Sequence, residues 1–119
     1  MKVAIPRFGE LVAPCFEYSA TIAIFTVDRR KVVDEKDFCL QSREALDRVR
    51  LLRDQGVDML ICGGVHTVFE DMLVENRIRV ISWVSGGVDE LLKRFLEGEL
   101  TPGSGQVCGT AGTRERRES

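Results

Sequence analysis

The sequence predicts a mixed α/β domain, a five-stranded mixed sheet covered on its faces by helices in three layers. Three observations carry that expectation. The first third of the chain consists of short β-rich apolar runs with no helical period. From Ser42 onward, segments with apolar residues at helical spacing alternate with short apolar runs. Two glycine pairs, Gly63-Gly64 and Gly86-Gly87, follow the later runs. Those places are the C-terminal ends of parallel strands, where open α/β sheets put their ligand crevices.

Each element has its own signal. Lys2 to Pro6 (KVAIP) reads as an apolar strand ended by proline. Arg7 to Ala20 is an irregular connection, long for a compact domain, and long loops are often functional. Thr21 to Val27 (TIAIFTV) is β-rich and apolar. Asp28-Arg29-Arg30 offers a turn into the more polar strand Lys31 to Phe38 (KVVDEKDF). The pair reads as a hairpin whose second, charged strand lies at a sheet edge, where charge discourages edge pairing.

Beyond the hairpin the period changes. Ala45, Leu46, Val49 and Leu52 fall on one helix face, with Ser42 as N-cap and Gly56 as the stop. Met59, Leu60 and Ile61 are apolar on both faces, as in a buried parallel strand. Thr67 and Glu70 form a capping box for a helix whose apolar face is Val68, Phe69, Met72 and Leu73. Ile78 to Trp83 (IRVISW) is another strand, and Val88, Leu91, Leu92, Phe95 and Leu96 line a third helix that Gly98 ends. The Met, Phe and Leu residues of these faces are core and take no ligand role. The order is β β β α β α β α, with right-handed crossovers between the parallel strands, in the manner of the ribonuclease-H-like layout. Residues 1–100 form this domain, and residues 101–119 (TPGSGQVCGTAGTRERRES) read as a flexible C-terminal tail without periodicity.

Composition narrows the functions. A formal net charge of −2 argues against a nucleic-acid binder that relies on a basic surface. No stretch approaches the ~18 apolar residues of a membrane span, and the opening MKVAIPRFGE has no apolar signal-peptide run. A cytoplasmic location is expected. The cysteines Cys15, Cys39, Cys62 and Cys108 show no CxxC pairing, so reduced thiols or ligands are expected rather than a disulfide framework. Cys39 reads first as a small buried hydrophobe.

The chemistry gathers at Gly56 to Asp71 (GVDMLICGGVHTVFED), around Cys62 and His66, the chain's one histidine. If the loop after the first strand approaches the two Gly-Gly turns, the three segments line one crevice and Cys15, Cys62 and His66 become neighbours. Thiolate and imidazole suit zinc, copper(I), iron or an iron–sulfur cluster, and a helix N-terminus beside them favours an anion. A Cys–His nucleophile is the rival enzyme reading, but no third group to orient the histidine is apparent. GGVHT lacks the lysine of a phosphate loop. KVAIP lacks the aspartate that a ribonuclease-H-like nuclease carries in its first strand. Asp34, Glu35, Asp37, Asp89 and Glu90 read as solvated edge or first-turn charges.

KVAIP, APCFEYSATIAIFTVD, GVDMLICGGVHTVFEDMLVENRIRV and VSGGVDELLKRFLEGEL together resemble the dinitrogenase iron–molybdenum cofactor biosynthesis family, the NifX/NafY-like domains also found at the end of some NifB proteins. The resemblance covers residues 1–100. It implies a ribonuclease-H-like fold without nuclease activity, and relatives that bind or carry the iron–molybdenum cofactor, its precursors or other metal–sulfur clusters. The family's His-Phe-Gly is Cys15-Phe16-Glu17 here, so Cys15 takes the position of a candidate cluster ligand with a different donor atom. His66 stands where many members have glycine, and is expected to replace the lost imidazole from the opposite side of the crevice.

The expected protein is a non-enzymatic carrier or chaperone for a metal–sulfur cluster or an iron–molybdenum cofactor precursor, exchanging it with a donor or acceptor protein. Cys15 and His66 are the first candidate ligands, with Cys62 behind them. Gly63, Gly64, Ser85, Gly86 and Gly87 would shape the crevice and offer backbone N–H groups. Cys108, on the tail, is a further candidate. The alternatives are a metal-free regulatory or interaction module on the same fold, and a thiol enzyme.

Overall fold

The strand Lys2–Phe8 (β1) runs through the middle of the sheet, because its residues are buried on both faces from Val3 to Pro6. The computed structural model describes residues 1–41 and 44–100. The other strands are Leu11–Val12 (β2), Thr21–Asp28 (β3), Lys31–Cys39 (β4), Met59–Ile61 (β5) and Arg79–Ile81 (β6). They form a six-stranded sheet in the order β4-β3-β1-β5-β6, with β2 paired to β1. The β1–β3 and β3–β4 pairs are antiparallel, and β1–β5 and β5–β6 are parallel.

The sheet therefore has one strand more than the five expected, because the first connection doubles back as β2 against Arg7 and Phe8. Pro6 does not end β1, which continues to Phe8. The carbonyl of Pro6 accepts the N–H of Ala13 at 2.8 Å. A strand residue directs its N–H and C=O to the same side, so the missing proline N–H lies away from the β3 ladder and weakens no bond there.

Three helices cover the sheet: Ala45–Asp54 (α1), Thr67–Glu75 (α2) and Val88–Leu96 (α3). Strand alternation sends Val3, Ile5, Phe25 and Ile61 to one side, where they pack with Val88, Leu91 and Leu92 of α3. Ala4, Ile22, Ile24 and Leu60 go to the other side, against Val49 and Leu52 of α1 and Leu73 of α2. Each such fully buried side chain contributes about 1.5–3 kcal/mol. The layout is three layers, helix on sheet on helix.

β4 lies beyond both helix layers and is exposed along almost its whole length, the charged edge expected from its sequence. Gly56, at φ +71°, follows the α1 C-cap Gln55 as the expected left-handed stop. The start of α1 differs from expectation: Glu44 occupies the N-cap without a side-chain cap, and Ser42 lies outside the described residues. β6 is shorter than Ile78 to Trp83, because Trp83 adopts a left-handed φ of 62° and turns the chain out of the sheet. Among the described residues, no helix is long and apolar enough to cross a membrane.

Candidate functional site

β5 pairs with β1 only at Val3 and Ala4, and β2 takes the far half of the same edge at Arg7 and Phe8. The wedge between them is filled by Ala13 to Phe16. Gly64 donates its N–H to the Pro14 carbonyl at 2.7 Å, and Phe16 donates to the Gly64 carbonyl at 2.8 Å. On the other side of the same turn, Trp83 donates to the Gly63 carbonyl at 2.9 Å and Val84 to the Cys62 carbonyl at 3.2 Å. Three chain segments thus run side by side past the ends of the parallel strands. The predicted convergence is present.

The glycines of the central segment serve close approach rather than a left-handed turn. A Cβ on Gly63 would lie 2.6 Å from the Ala13 carbonyl oxygen and 2.8 Å from that of Pro14. On Gly64 it would meet the Pro14 oxygen at 3.2 Å and the Trp83 ring at 3.2 Å. Neither glycine has a positive φ; Gly86, at 126°, does.

Pro14 separates two grooves. One, of about 380 Å³, is lined by Leu11, Pro14, Gly63, Gly64, Trp83 and Ser85 among others, and is the crevice expected from the two Gly-Gly turns. The other, of about 480 Å³, is lined by Arg7, Phe8, Pro14, Cys15, Tyr18 and Thr21 among others. Cys15 borders this second groove and not the glycine-lined one.

Cys15 and His66 are joined by a residue that the sequence did not single out. Glu17, in the 3-10 turn Phe16–Tyr18, accepts the His66 backbone N–H on Oε1 at 3.0 Å. Its Oε2 lies 3.9 Å from the Cys15 sulfur, which donates. The available signal was a carboxylate two positions after a candidate thiol. Burial pushes the Cys15 thiol pKa up and the Glu17 charge adds to the rise, while a backbone N–H of Glu17 partly opposes it.

His66, not Thr67, is the N-cap of α2: its Nδ1 accepts the Val68 N–H at 3.2 Å. Accepting that bond puts the neutral ring's proton on Nε2, so His66 can ligate a metal only when the ring gives up this cap. Cys62 is fully buried among Phe16, Val65 and Leu73, so its placement is that of a core side chain. Burial, with lesser contributions from Glu70, Glu17 and Cys15, pushes its pKa up to about 12. Cys39 is exposed at the end of β4, contrary to the buried place expected for it. Cys108 lies outside the described residues.

The family model for the dinitrogenase iron-molybdenum cofactor matches residues 1–98. The chain belongs to that family. No curated protein matches it. Among solved structures it is similar to PH0822 (21% identity, TM-score 0.80, 86% of this chain and 94% of that one). It is also similar to MJ0327 from Methanocaldococcus jannaschii (22%, 0.72, 85% and 92%). A third is the apo form of the orange protein from Desulfovibrio gigas (21%, 0.70, 85% and 91%). At these identities the likeness is one of fold.

In this member of the dinitrogenase iron-molybdenum cofactor family, one backbone donor expected to face an anion, that of Gly64, is already used, as are N–H groups at the starts of α2 and α3. Gly64 N–H serves Pro14, Val68 N–H serves His66, and Val88 N–H, at the start of α3, serves the Glu10 carbonyl at 2.9 Å. Among the described residues, no group of three or more His, Cys, Asp or Glu side chains is placed to hold a metal ion. What the site offers a soft metal is one partly buried thiol and one imidazole that must release the α2 cap to bind, from separate segments fastened together by Glu17.

Proposed function

We propose that this chain is a small, non-enzymatic carrier that binds a metal–sulfur cluster or an iron–molybdenum cofactor precursor as cargo and hands it to a partner protein. One observation carries the proposal: Glu17 and the Cys15–Gly64 bridge bring a soft thiol and a histidine together at the open end of the sheet in a chain of this family. Cys15 supplies sulfur as thiolate and His66 supplies a ring nitrogen once it gives up the Val68 cap, donors that suit iron, zinc or a metal–sulfur cluster. Two protein donors leave most of the cargo's coordination open to exchange, whereas a closed four-ligand site would favour permanent retention. Cys62 joins the ligands only if the core beneath the turn opens. Gly63 and Gly64 act by letting the segments approach, and Ser85, Gly86 and Gly87 shape the neighbouring groove. On this reading the chain is a ribonuclease-H-like domain of residues 1–100 followed by a tail, working in the cytoplasm without nucleic acid.

The test is anaerobic reconstitution of the reduced protein with iron, sulfide and thiomolybdate, followed by desalting, metal analysis and visible spectroscopy. The Cys15→Ala, His66→Ala double variant runs alongside. A chromophore retained by the natural protein and lost by the variant supports the carrier. Retention by neither overturns it and leaves the metal-free interaction module.

A further inference from the structure

The end of the molecule that carries Cys15 is unusual in its surface. The exposed aromatic residues of the described chain, Phe8, Tyr18 and Trp83, are 76%, 81% and 65% accessible, and all three border the two grooves flanking Pro14. Leu11, 55% accessible, lines the Trp83 groove. Monomeric proteins rarely leave large apolar groups clustered in this way without a use for them. Trp83 is held there against a conformational preference, since a bulky residue at φ 62° is strained and persists only where its surroundings fix it. Those surroundings are the Gly63 carbonyl that accepts its N–H, and the bare backbone of Gly64 under its ring.

The charge at this end is one-sided. Glu10 and Glu17 stand in the loops around the grooves, Glu70 lies in the first turn of α2, and Asp89 and Glu90 lie in the first turn of α3. The bases are engaged: Arg7 contacts Glu10, Glu35 and Asp37, Arg48 is buried with bonds to the carbonyls of Ser19 and Glu44, and Arg94 makes an exposed pair with Glu90 at 3.8 Å that a docked arginine or lysine would have to displace. Arg29, Arg30, Lys31, Arg53, Arg77 and Arg79 sit at the opposite end, in the β3–β4 turn, at the ends of α1 and α2 and at the start of β6, interleaved there with Asp28, Asp54, Asp58 and Glu75.

From this surface we infer a docking face for a basic, apolar segment of a partner protein, which places large apolar side chains in the two grooves and lysine or arginine opposite Glu10, Glu17, Asp89 and Glu90. The acidic frame repels nucleic acid and anionic lipid. A second copy of this chain is also a poor occupant. Face to face it brings identical acidic frames together, and head to tail it would set these grooves against a surface where acids and bases are interleaved, with no acidic–basic complementarity. The inference names the partner of the site proposed above and rests on that reading for its purpose, not for its geometry.

The test uses the cargo-free 119-residue chain and three synthetic peptides without tryptophan: alternating Leu/Arg, alternating Leu/Glu and alternating Ser/Arg. Trp83 is the sole tryptophan and reports directly. The Leu/Arg peptide is expected to shift its emission to the blue and to perturb the amides of Phe8, Leu11, Tyr18 and Trp83. Binding should weaken several-fold when salt rises from about 50 to about 300 mM. The Ser/Arg peptide should bind at least about tenfold more weakly, a loss of about 1.4 kcal/mol, and the Leu/Glu peptide not at all. Leu11→Ser with Tyr18→Ser should cost a similar factor without changing the thermal melt. Equal binding of all three peptides, amide shifts confined to other faces, or concentration-dependent dimerisation would overturn the inference. Loss of docking with cargo retention intact counts against this inference alone, and the converse counts against the carrier alone.

Discussion

Replacing Gly63 by alanine puts a methyl carbon 2.6 Å from a backbone oxygen on a neighbouring segment, and neither segment can yield without breaking the bonds that align them. The expected cost is at least about 3 kcal/mol in denaturant unfolding. Gly64→Ala should cost only about 1 kcal/mol, since one of its two close neighbours is the tip of an exposed ring. Equal costs would show that the carbonyl wedge does not control the turn. The same scale separates the thiols. Cys15 should alkylate slowly near neutral pH and speed up steadily into alkaline solution. Glu17→Gln keeps an acceptor for His66 N–H but removes the charge, and should raise the neutral-pH rate several-fold; an unchanged rate would remove Glu17 as a cause. Cys62, with its pKa pushed up to about 12, should not react before the protein unfolds. A thiol that ionises at about 8.5 when unfolded but near 12 when folded makes stability fall as pH rises through that window, because the unfolded chain then binds fewer protons. Alkaline unfolding of Cys62→Ala should lack that component.

At the scale of elements, the β3–β4 hairpin turns on Arg29 and Arg30, both left-handed at φ 53° and 65°. This is a two-residue turn of the type that matches strand twist, filled by residues that find it costly. Arg29→Asn with Arg30→Gly should stabilise the protein by about 1–2 kcal/mol, raising the melting temperature by several degrees. A lower melting temperature would mean that the arginines make compensating contacts. The sequence announced the three helices, the charged edge strand and the stop at Gly56, because each rests on local signals: apolar period, charge pattern and a glycine after the last turn. It did not announce β2, whose two residues become a strand only through a distant pairing with Arg7 and Phe8. Nor did it place the cap of α2 correctly. His66 fills a role that threonine takes more often, and in filling it places the neutral ring's proton on Nε2.

For the molecule as a whole, the expected convergence of the first loop with the Gly63-Gly64 and Gly86-Gly87 turns is present, since it follows from strand order alone. Its chemistry was only partly legible. Cys62 was assigned to the crevice by its place in the chain, yet strand alternation turns it into the core. Cys15 borders the groove on the far side of Pro14, a partition set by a wedge of loop between β1 and β5 that no local pattern encodes. Glu17 matters through a contact with a residue far along the chain, His66, and sequence reading cannot see such contacts. Cargo capture at Cys15 exchanges a thiol proton for a metal bond, so retention should strengthen as pH rises and weaken as it falls. Metal retained after desalting across a pH series checks this.

The most direct measurement of the carrier account is peptide-resolved alkylation of Cys15 in reconstituted and cargo-free protein under anaerobic conditions, with exposed Cys39 as the internal reference. The account predicts that cargo protects Cys15 and leaves the Cys39 rate unchanged. Protection should vanish when a competing thiol strips the metal. Cys15 reacting at the same rate in metal-loaded and metal-free protein would contradict the central claim.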